Sequence, residues 1–290
     1  MKIIELISDS TFKNKKVLKE LICHNLSLTK SQLFQNYDTN MTIKQYEKIK
    51  KQYFQYENEK KPLEYILWFV EFGWLKFQVN QKTLIPRPET EYMIEAINEY
   101  LSIVDLRWTK KFNIIDVWTG CGVLWISVAY HNLSKINKIL LMDISEEALQ
   151  VTEKNTSKIL ADYSNIEILQ SNLLEYFFKN IQNYKNSFNI IIWNLPYIPN
   201  DTFENEVEDN VKEREPKIAF VGGDDWLDLY RKMLEQIINY WINKFQFCIF
   251  LEMMTSQVEI LKNQYWNFFE FEIMKTFHFN IKIVKVSPKF

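Results

Sequence analysis

The spacing of apolar and polar residues changes character twice along the chain. Residues 1 to about 66 read as short amphipathic helices. Leu18, Leu21, Ile22 and Cys23 share one apolar-periodic stretch, and TIKQYEKIKKQYFQYENEK predicts a charged helix ending near Lys61. Ser27 or Thr29 in NLSLTKSQLF suits a helix N-cap, where a hydroxyl accepts a backbone N–H left without a partner. In EFGWLKFQVNQKTLIPRPETE the period drops to two, which predicts a β-hairpin over 67–90 with Asn80-Gln81 as its turn. Pro86 and Pro88 stop that pattern, and a helix begins near Glu89. From Phe112 onward, apolar runs of strand length (NIIDV, KILLMDI, IEILQ, FNIIIWNLPYI, FQFCIFLEM) alternate with helical segments such as EEALQVTEKNTSKIL and DLYRKMLEQIINY. Two more strand-like runs follow Phe269. Near-continuous apolar strands separated by helices predict a parallel sheet covered on both faces, with its ligand site at the carboxyl ends of the strands. The expected plan is α/β, with a helical domain over 1–66, a hairpin linker over 67–90 and a sheet domain over 91–290.

Composition narrows the class. A chain of 290 residues, 47% hydrophobic, has ample material for a core. A net charge of −2 gives no general attraction for nucleic acid or an anionic membrane. Cys23, Cys121 and Cys248 are scattered, and His24, His131 and His278 form no ligand spacing, so neither zinc nor a disulfide framework is expected. No signal-like or membrane-length apolar run is visible, and the expected location is cytoplasmic. Glycine, however, numbers 5, where an average chain of this length carries roughly 20. Tryptophan numbers 9. An α/β chain uses glycine at tight turns and helix ends, so the shortage needs a cause.

Three candidate features lie at strand ends. The turn Asp116–Gly122 follows the first strand, where Gly120 and Gly122 permit close approach of a ligand and the next helix N-terminus favours polar or anionic groups. Asp143 ends the second strand, where a carboxylate can accept both hydroxyls of a ribose. Asn194-Leu195-Pro196-Tyr197 follows the fourth. Each feature alone fits an ordinary turn, and the three histidines fit surface or core positions. In this order, the features point to a cofactor that contains a nucleoside.

With these residues the chain resembles the class I S-adenosylmethionine-dependent methyltransferases, and among them the HemK/PrmC release-factor glutamine methyltransferases. The resemblance covers nearly everything beyond residue 60. PLEYIL, LIPRPETEYMIE, DVWTGCG, MDISEEAL, NLPYIP and EPKIAFVGGDDWLDLYRKM match segments of the family, LIPRPETE being the most discriminating. The resemblance implies a Rossmann-like, seven-stranded methyltransferase domain with a small N-terminal helical domain, joined by a β-hairpin. It implies that Asp116, Val117, Trp118, Thr119, Gly120 and Gly122 line the methionine and ribose part of S-adenosyl-L-methionine, and that Asp143 holds the ribose. Asn172, where the family usually has Asp, and Leu173 flank adenine on this reading. Asn194 and the carbonyl of Leu195, which replaces the family's first proline, grip the target amide beside Pro196 and Tyr197. The implied partner is a class 1 peptide chain release factor, recognised by the helical domain and methylated at the glutamine of its Gly-Gly-Gln motif. The enzyme is expected to be a monomer with no direct nucleic-acid contact.

The chemistry suits such a site. An amide nitrogen is a poor nucleophile because its lone pair is delocalised into the carbonyl. Two acceptors on its N–H groups raise its electron density as positive charge develops in the transition state. No base of shifted pKa is needed, because the methylated nitrogen is strongly acidic. The sister activity on a ribosomal-protein glutamine shares these motifs. An adenine-amino DNA methyltransferase shares the Asn-Pro-Pro-Tyr motif that Asn194-Leu195-Pro196-Tyr197 resembles, but should carry a basic recognition region. Against the family pattern, Trp68, Trp74, Trp118, Trp125 and Trp226 stand where glycine is usual. Trp241 and Trp266 fall at a helix end and a turn, and Trp108 and Trp193 are ambiguous. One cause covers the five: UGA codons translated here as tryptophan but read as glycine by the source organism. If the tryptophans are genuine, the chain is a weak enzyme or a silent binding protein.

Overall fold

The computed structural model describes residues 1–103, 111–194, 196, 198–222, 226–240, 246–276 and 281–289. Two compact units divide the chain after Phe69 rather than after residue 66. Unit one, Met1–Phe69, packs helices Ile3–Ser8, Lys15–Leu26, Lys30–Gln35, Ile43–Glu57 and Leu63–Leu67. Ile3, Leu6, Leu18, Leu21, Ile22 and Ile49 are fully buried at its centre. Thr29, not Ser27, is the N-cap, and its hydroxyl accepts from Gln32 N–H while the Gln32 side chain returns the bond. Ser27 instead closes the helix before it in a left-handed conformation. The charged helix stops at Glu57, short of Lys61. Helix Leu63–Leu67 ends on Trp68 in the left-handed region, φ 66°.

Unit two, Val70–Phe290, carries the sheet. The hairpin pairs β1 (Phe69–Phe72) with β2 (Leu75–Gln78), and its turn is Gly73-Trp74, not Asn80-Gln81. Both turn residues have positive φ (50° and 71°), as a two-residue type I′ turn requires. The turn falls earlier than the alternation predicts because the chain reverses at its glycine, which takes a positive φ without strain.

The main sheet contains β3 (Phe112–Val117), β4 (Ile136–Asp143), β5 (Ile166–Gln170), β6 (Phe188–Trp193), β7 (Phe247–Met254), β8 (Phe269–Thr276) and β9 (Ile281–Pro288). Their order is β5-β4-β3-β6-β7-β9-β8. Strands β3 to β7 run parallel, β9 runs antiparallel to β7, and β8, antiparallel to β9, takes the direction of β3 to β7 again, so the sheet is mixed, with one reversed strand, rather than purely parallel. FEFEIMKT alternates buried and exposed along its first half, the mark of a strand covered on one face, whereas all six residues of β3 are buried. Between β3 and β6, Asn113 donates its amide to Asn189 at 2.9 Å within the core, pinning their register. Helices Thr90–Ile103, Val123–Asn132, Glu146–Ile159, Asp228–Tyr240 and Thr255–Tyr265 belong to the same unit. Strand order reverses direction between β3 and β6, and their carboxyl ends open on a common cleft.

Candidate active site

The loop after β3 is shaped mainly by backbone hydrogen bonds. Trp118 and Thr119 both donate N–H to the Met142 carbonyl, at 2.8 and 3.0 Å, and Gly122 donates to Thr119 at 2.8 Å. Trp118, Gly120 and Gly122 have φ of 70°, 58° and 82°, so the chain reverses through three left-handed residues before helix Val123–Asn132 begins. Helix Glu146–Ile159 holds the loop from behind. Thr152 donates its hydroxyl to the Gly120 carbonyl at 2.6 Å, and Asn155 donates its amide to Cys121 O at 2.8 Å and to Gln78 O on β2 at 3.0 Å.

Two carboxyl groups end the neighbouring strands. Asp116, 1% exposed on β3, accepts from the Thr119 hydroxyl at 2.8 Å. Burial pushes its pKa up to about 8, against the Thr119 bond and with the Asp143 charge adding to the rise. Asp143, 4% exposed at the end of β4, accepts N–H from Gly120 and Ser145, each at 2.9 Å. Burial raises its pKa also, and the N–H groups of Ser145, Gly120 and Ile144 oppose that rise.

On the far side of the cleft, Asn194 follows β6. Its amide nitrogen is 3.4 Å from Oε2 of Glu252, a 3% exposed residue of β7 whose main-chain carbonyl accepts the Tyr230 hydroxyl at 2.8 Å. A carboxylate only accepts, so this contact assigns Nδ2 to the Glu252 side and leaves Asn194 Oδ1 as the available acceptor. Pro196 lies within the described residues; Leu195 and Tyr197 lie outside them. The chain beyond is tied to residues 198–222: Ile198 donates N–H to Phe220 O at 2.8 Å, and Gly222 donates to Ile198 O at 3.1 Å. A Cβ on Gly222 would come 2.2 Å from Pro196 O, so position 222 admits glycine alone without a backbone shift. Buried Glu215 locks this layer to the segment before helix Thr90–Ile103. It accepts N–H from Ile85 at 3.0 Å and the Arg87 guanidinium at 2.7 Å, and that guanidinium lies 5.8 Å from the Phe220 ring centre.

These pieces line one cleft. Trp118, Thr119, Gly120, Asp143 and Asn194 face it, together with Leu84, Pro86 and Ala219. Asp116, Val117 and Gly122 belong to the same strand end and turn but not to the lining. Asn172 donates its side chain to Glu175 at 3.0 Å, and Leu173 is fully buried in the core at φ 52°; neither lines the cleft. Glu252, Glu215, Thr152 and Asn155 were not singled out by sequence. Glu252 had a legible signal, an acid inside the apolar run FLEMM. Among the described residues no group of three or more His, Cys, Asp or Glu could hold a metal ion. The donor set fits a ribose-bearing cation: two carboxyl groups, a left-handed loop, and open space above Gly120, where an added Cβ meets nothing within 4 Å. The volume is the mismatch. The cavity measures about 70 Å³, against roughly 300–1,000 Å³ for small-molecule sites, and the Trp118 indole lines it.

The methyltransferase small domain family matches residues 99–239. The release factor glutamine methyltransferase of Clostridium acetobutylicum is 36% identical over 240 residues, covering 78% of this chain and 79% of its own length. That of Thermodesulfovibrio yellowstonii is 30% identical over 262 residues, covering 90% and 87%. Among solved structures, the hMettl16 catalytic domain in complex with MAT2A 3′UTR hairpin 1 has a TM-score of 0.53 at 11% identity, over 93% of this chain and 89% of that one. At that identity the likeness concerns the fold alone.

Proposed function

The chain belongs to the release factor glutamine methyltransferase family, and on that premise we propose that it methylates the side-chain amide nitrogen of the glutamine in the Gly-Gly-Gln motif of class 1 peptide chain release factors. It is an S-adenosylmethionine-dependent protein methyltransferase. The observation that carries the reading is the convergence of the Asp143–Gly120 corner and Asn194 on one cleft between β3 and β6.

When bound, the cofactor supplies an electrophilic methyl group on a sulfonium. Asp143 would hold the ribose hydroxyls with its remaining lone pairs, and Asp116, protonated below about pH 8 in the empty site, would ionise beside the cation. Asn194 Oδ1 accepts one N–H of the substrate amide, and the main-chain carbonyl at 195 accepts the other. Glu252 keeps the Asn194 amide from rotating, so the acceptor stays turned to the nucleophile. Two acceptors hold the amide nitrogen in position and favour the charge that develops on it, an electrostatic and positional contribution of several kcal/mol. The surplus proton leaves to water. The helical unit Met1–Phe69, which exposes Phe34, Ile43 and Phe54, recognises the release factor. The enzyme works in the cytoplasm as a monomer on protein rather than nucleic acid, in keeping with its net charge of −2.

The test is incubation with S-adenosylmethionine and either a purified release factor or ribosomal proteins, followed by peptide mass spectrometry. One methyl group on the Gly-Gly-Gln glutamine is expected. A methyl group on a ribosomal-protein glutamine alone, or on neither, defeats the assignment.

A further inference from the structure

Seven non-glycine residues in the described chain have left-handed φ, and four of them are tryptophans: Trp68 (66°), Trp74 (71°), Trp118 (70°) and Trp226 (61°). A non-glycine residue takes such a φ a few per cent of the time, and a bulky one less often. For four of the seven described tryptophans to do so by chance is on the order of one in ten thousand.

Each of the four stands where the backbone itself wants glycine. Trp68 closes a helix at the left-handed C-terminal position. Trp74 is the second central residue of a type I′ turn whose first is Gly73. Trp118 opens the reversal between β3 and its helix. Trp226 lies two residues before helix Asp228–Tyr240. Packing does not explain the first two, whereas Trp118 packs against the core beside the cleft. Strained φ persists where surroundings over-determine it, yet Trp74 is fully exposed and Trp68 is 60% exposed. Trp118 narrows the cleft that the reaction needs. The chain's own glycines, meanwhile, are spent where geometry demands them: Gly73, Gly120 and Gly122 are left-handed, and Gly222 meets Pro196 O. Trp125, Trp193 and Trp266 lie in helix, strand and a helix end without positive φ and stand outside the argument.

We propose that positions 68, 74, 118 and 226 are glycine in the protein as its own cell makes it, encoded by UGA read as glycine. UGA differs from the glycine codon GGA in one base, so a single reassigned codon accounts for four misplaced indoles and for part of the glycine deficit. The consequence for the site is direct. With glycine at 118 the loop keeps its φ of 70° without strain, and the space lined by the indole joins the cleft.

The decisive measurement is the codon at each of the four positions, together with peptide masses of the protein purified from its source cells. UGA at all four with glycine in the native peptides is expected. UGG at any of them, or tryptophan in the native peptides, overturns the proposal. Neither readout involves methyl transfer, so the result stands apart from the functional assignment. A recombinant pair tests the physical argument: the chain with glycine at all four positions should melt several degrees above the chain with tryptophans. An equal or lower melting temperature refutes the strain on which the inference rests.

Discussion

The two walls of the cleft are held by opposite means. On the β3–β4 side the loop is shaped by backbone N–H and carbonyl groups, by left-handed residues, and by hydroxyl and amide props from helix Glu146–Ile159. On the β6 side, carboxylates set the geometry: Glu252 orients Asn194, and Glu215 ties Ile85 and Arg87 to the layer under Phe220. The first wall therefore fails through bulk and the second through loss of charge or of a hydrogen-bond partner. On the proposed roles, a side chain added to the loop closes the ligand space without touching Asn194. A carboxylate removed from the other wall leaves the cofactor corner intact.

The sharpest way to separate the walls is Asn194→Ala. Loss of one acceptor aimed at the transition state costs on the order of 10²–10³ in the single-turnover rate. Cofactor affinity, read by calorimetry, should change far less; a parallel collapse of both would merge the two walls into one. Trp118→Gly acts on the opposite wall and should tighten S-adenosylmethionine binding by about tenfold or more, as cavity volume and relaxed φ both favour it. Unchanged affinity would show that the indole is not what limits the space.

Glu252→Gln is the next step down. Glutamine offers both a donor and an acceptor to Asn194, so the amide loses its enforced orientation. The expected loss is roughly tenfold in turnover, near one charged hydrogen bond, with cofactor binding kept. If turnover holds, Asn194 is oriented by something else.

The loop wall also carries a pH signature. Asp116 has its pKa pushed up to about 8 by burial, against about 3.9 for an unfolded Asp. A carboxyl raised on folding contributes its stability fully below the unfolded value and loses it as pH rises through the folded one. The ligand-free protein should therefore lose stability between about pH 4 and 8 from this group. A cationic ligand favours the carboxylate, so affinity should rise with pH up to about 8 and binding below that should release a proton. Calorimetry in two buffers of different ionisation heat measures the release, and uptake instead would reverse the assignment. The smallest effect expected on catalysis is from Glu215→Gln. It keeps the shape but weakens two bonds, one to a partly exposed Arg87, and should cost about 1–2 kcal/mol of unfolding free energy in urea.

The contrast between the walls also explains what could be read in advance. Local pattern carried the helical unit, the strands β3 to β9 and the corner at Asp116, Gly120 and Asp143, because burial on both faces and strand-end acids leave a mark in consecutive residues. Direction left a fainter mark. FEFEIMKT alternates as an edge strand does, yet nothing in consecutive residues says that β9 alone runs against its neighbours β7 and β8. The hairpin turn leaves little trace because Gly73-Trp74 has one conventional turn residue where two positive φ values are needed. The props were hidden for another reason. Thr152 and Asn155 are unremarkable on an amphipathic helix, and Glu215 is 130 residues from Ile85, so their meaning exists only after folding.

The pairing of β3 with β6 has a consequence for how far a methyl group has to travel. Val117 and Trp193 are opposite partners in that ladder, so the residues that follow them, 118 and 194, leave neighbouring strands at the same level. Parallel neighbours lie about 4.8 Å apart. The Asp143–Gly120 corner and Asn194, the proposed donor and acceptor sides, are thus graduated on one ruler, with the Asn113–Asn189 pair as its zero mark. A fold that fixes this interval in its ladder has set it before any ligand arrives.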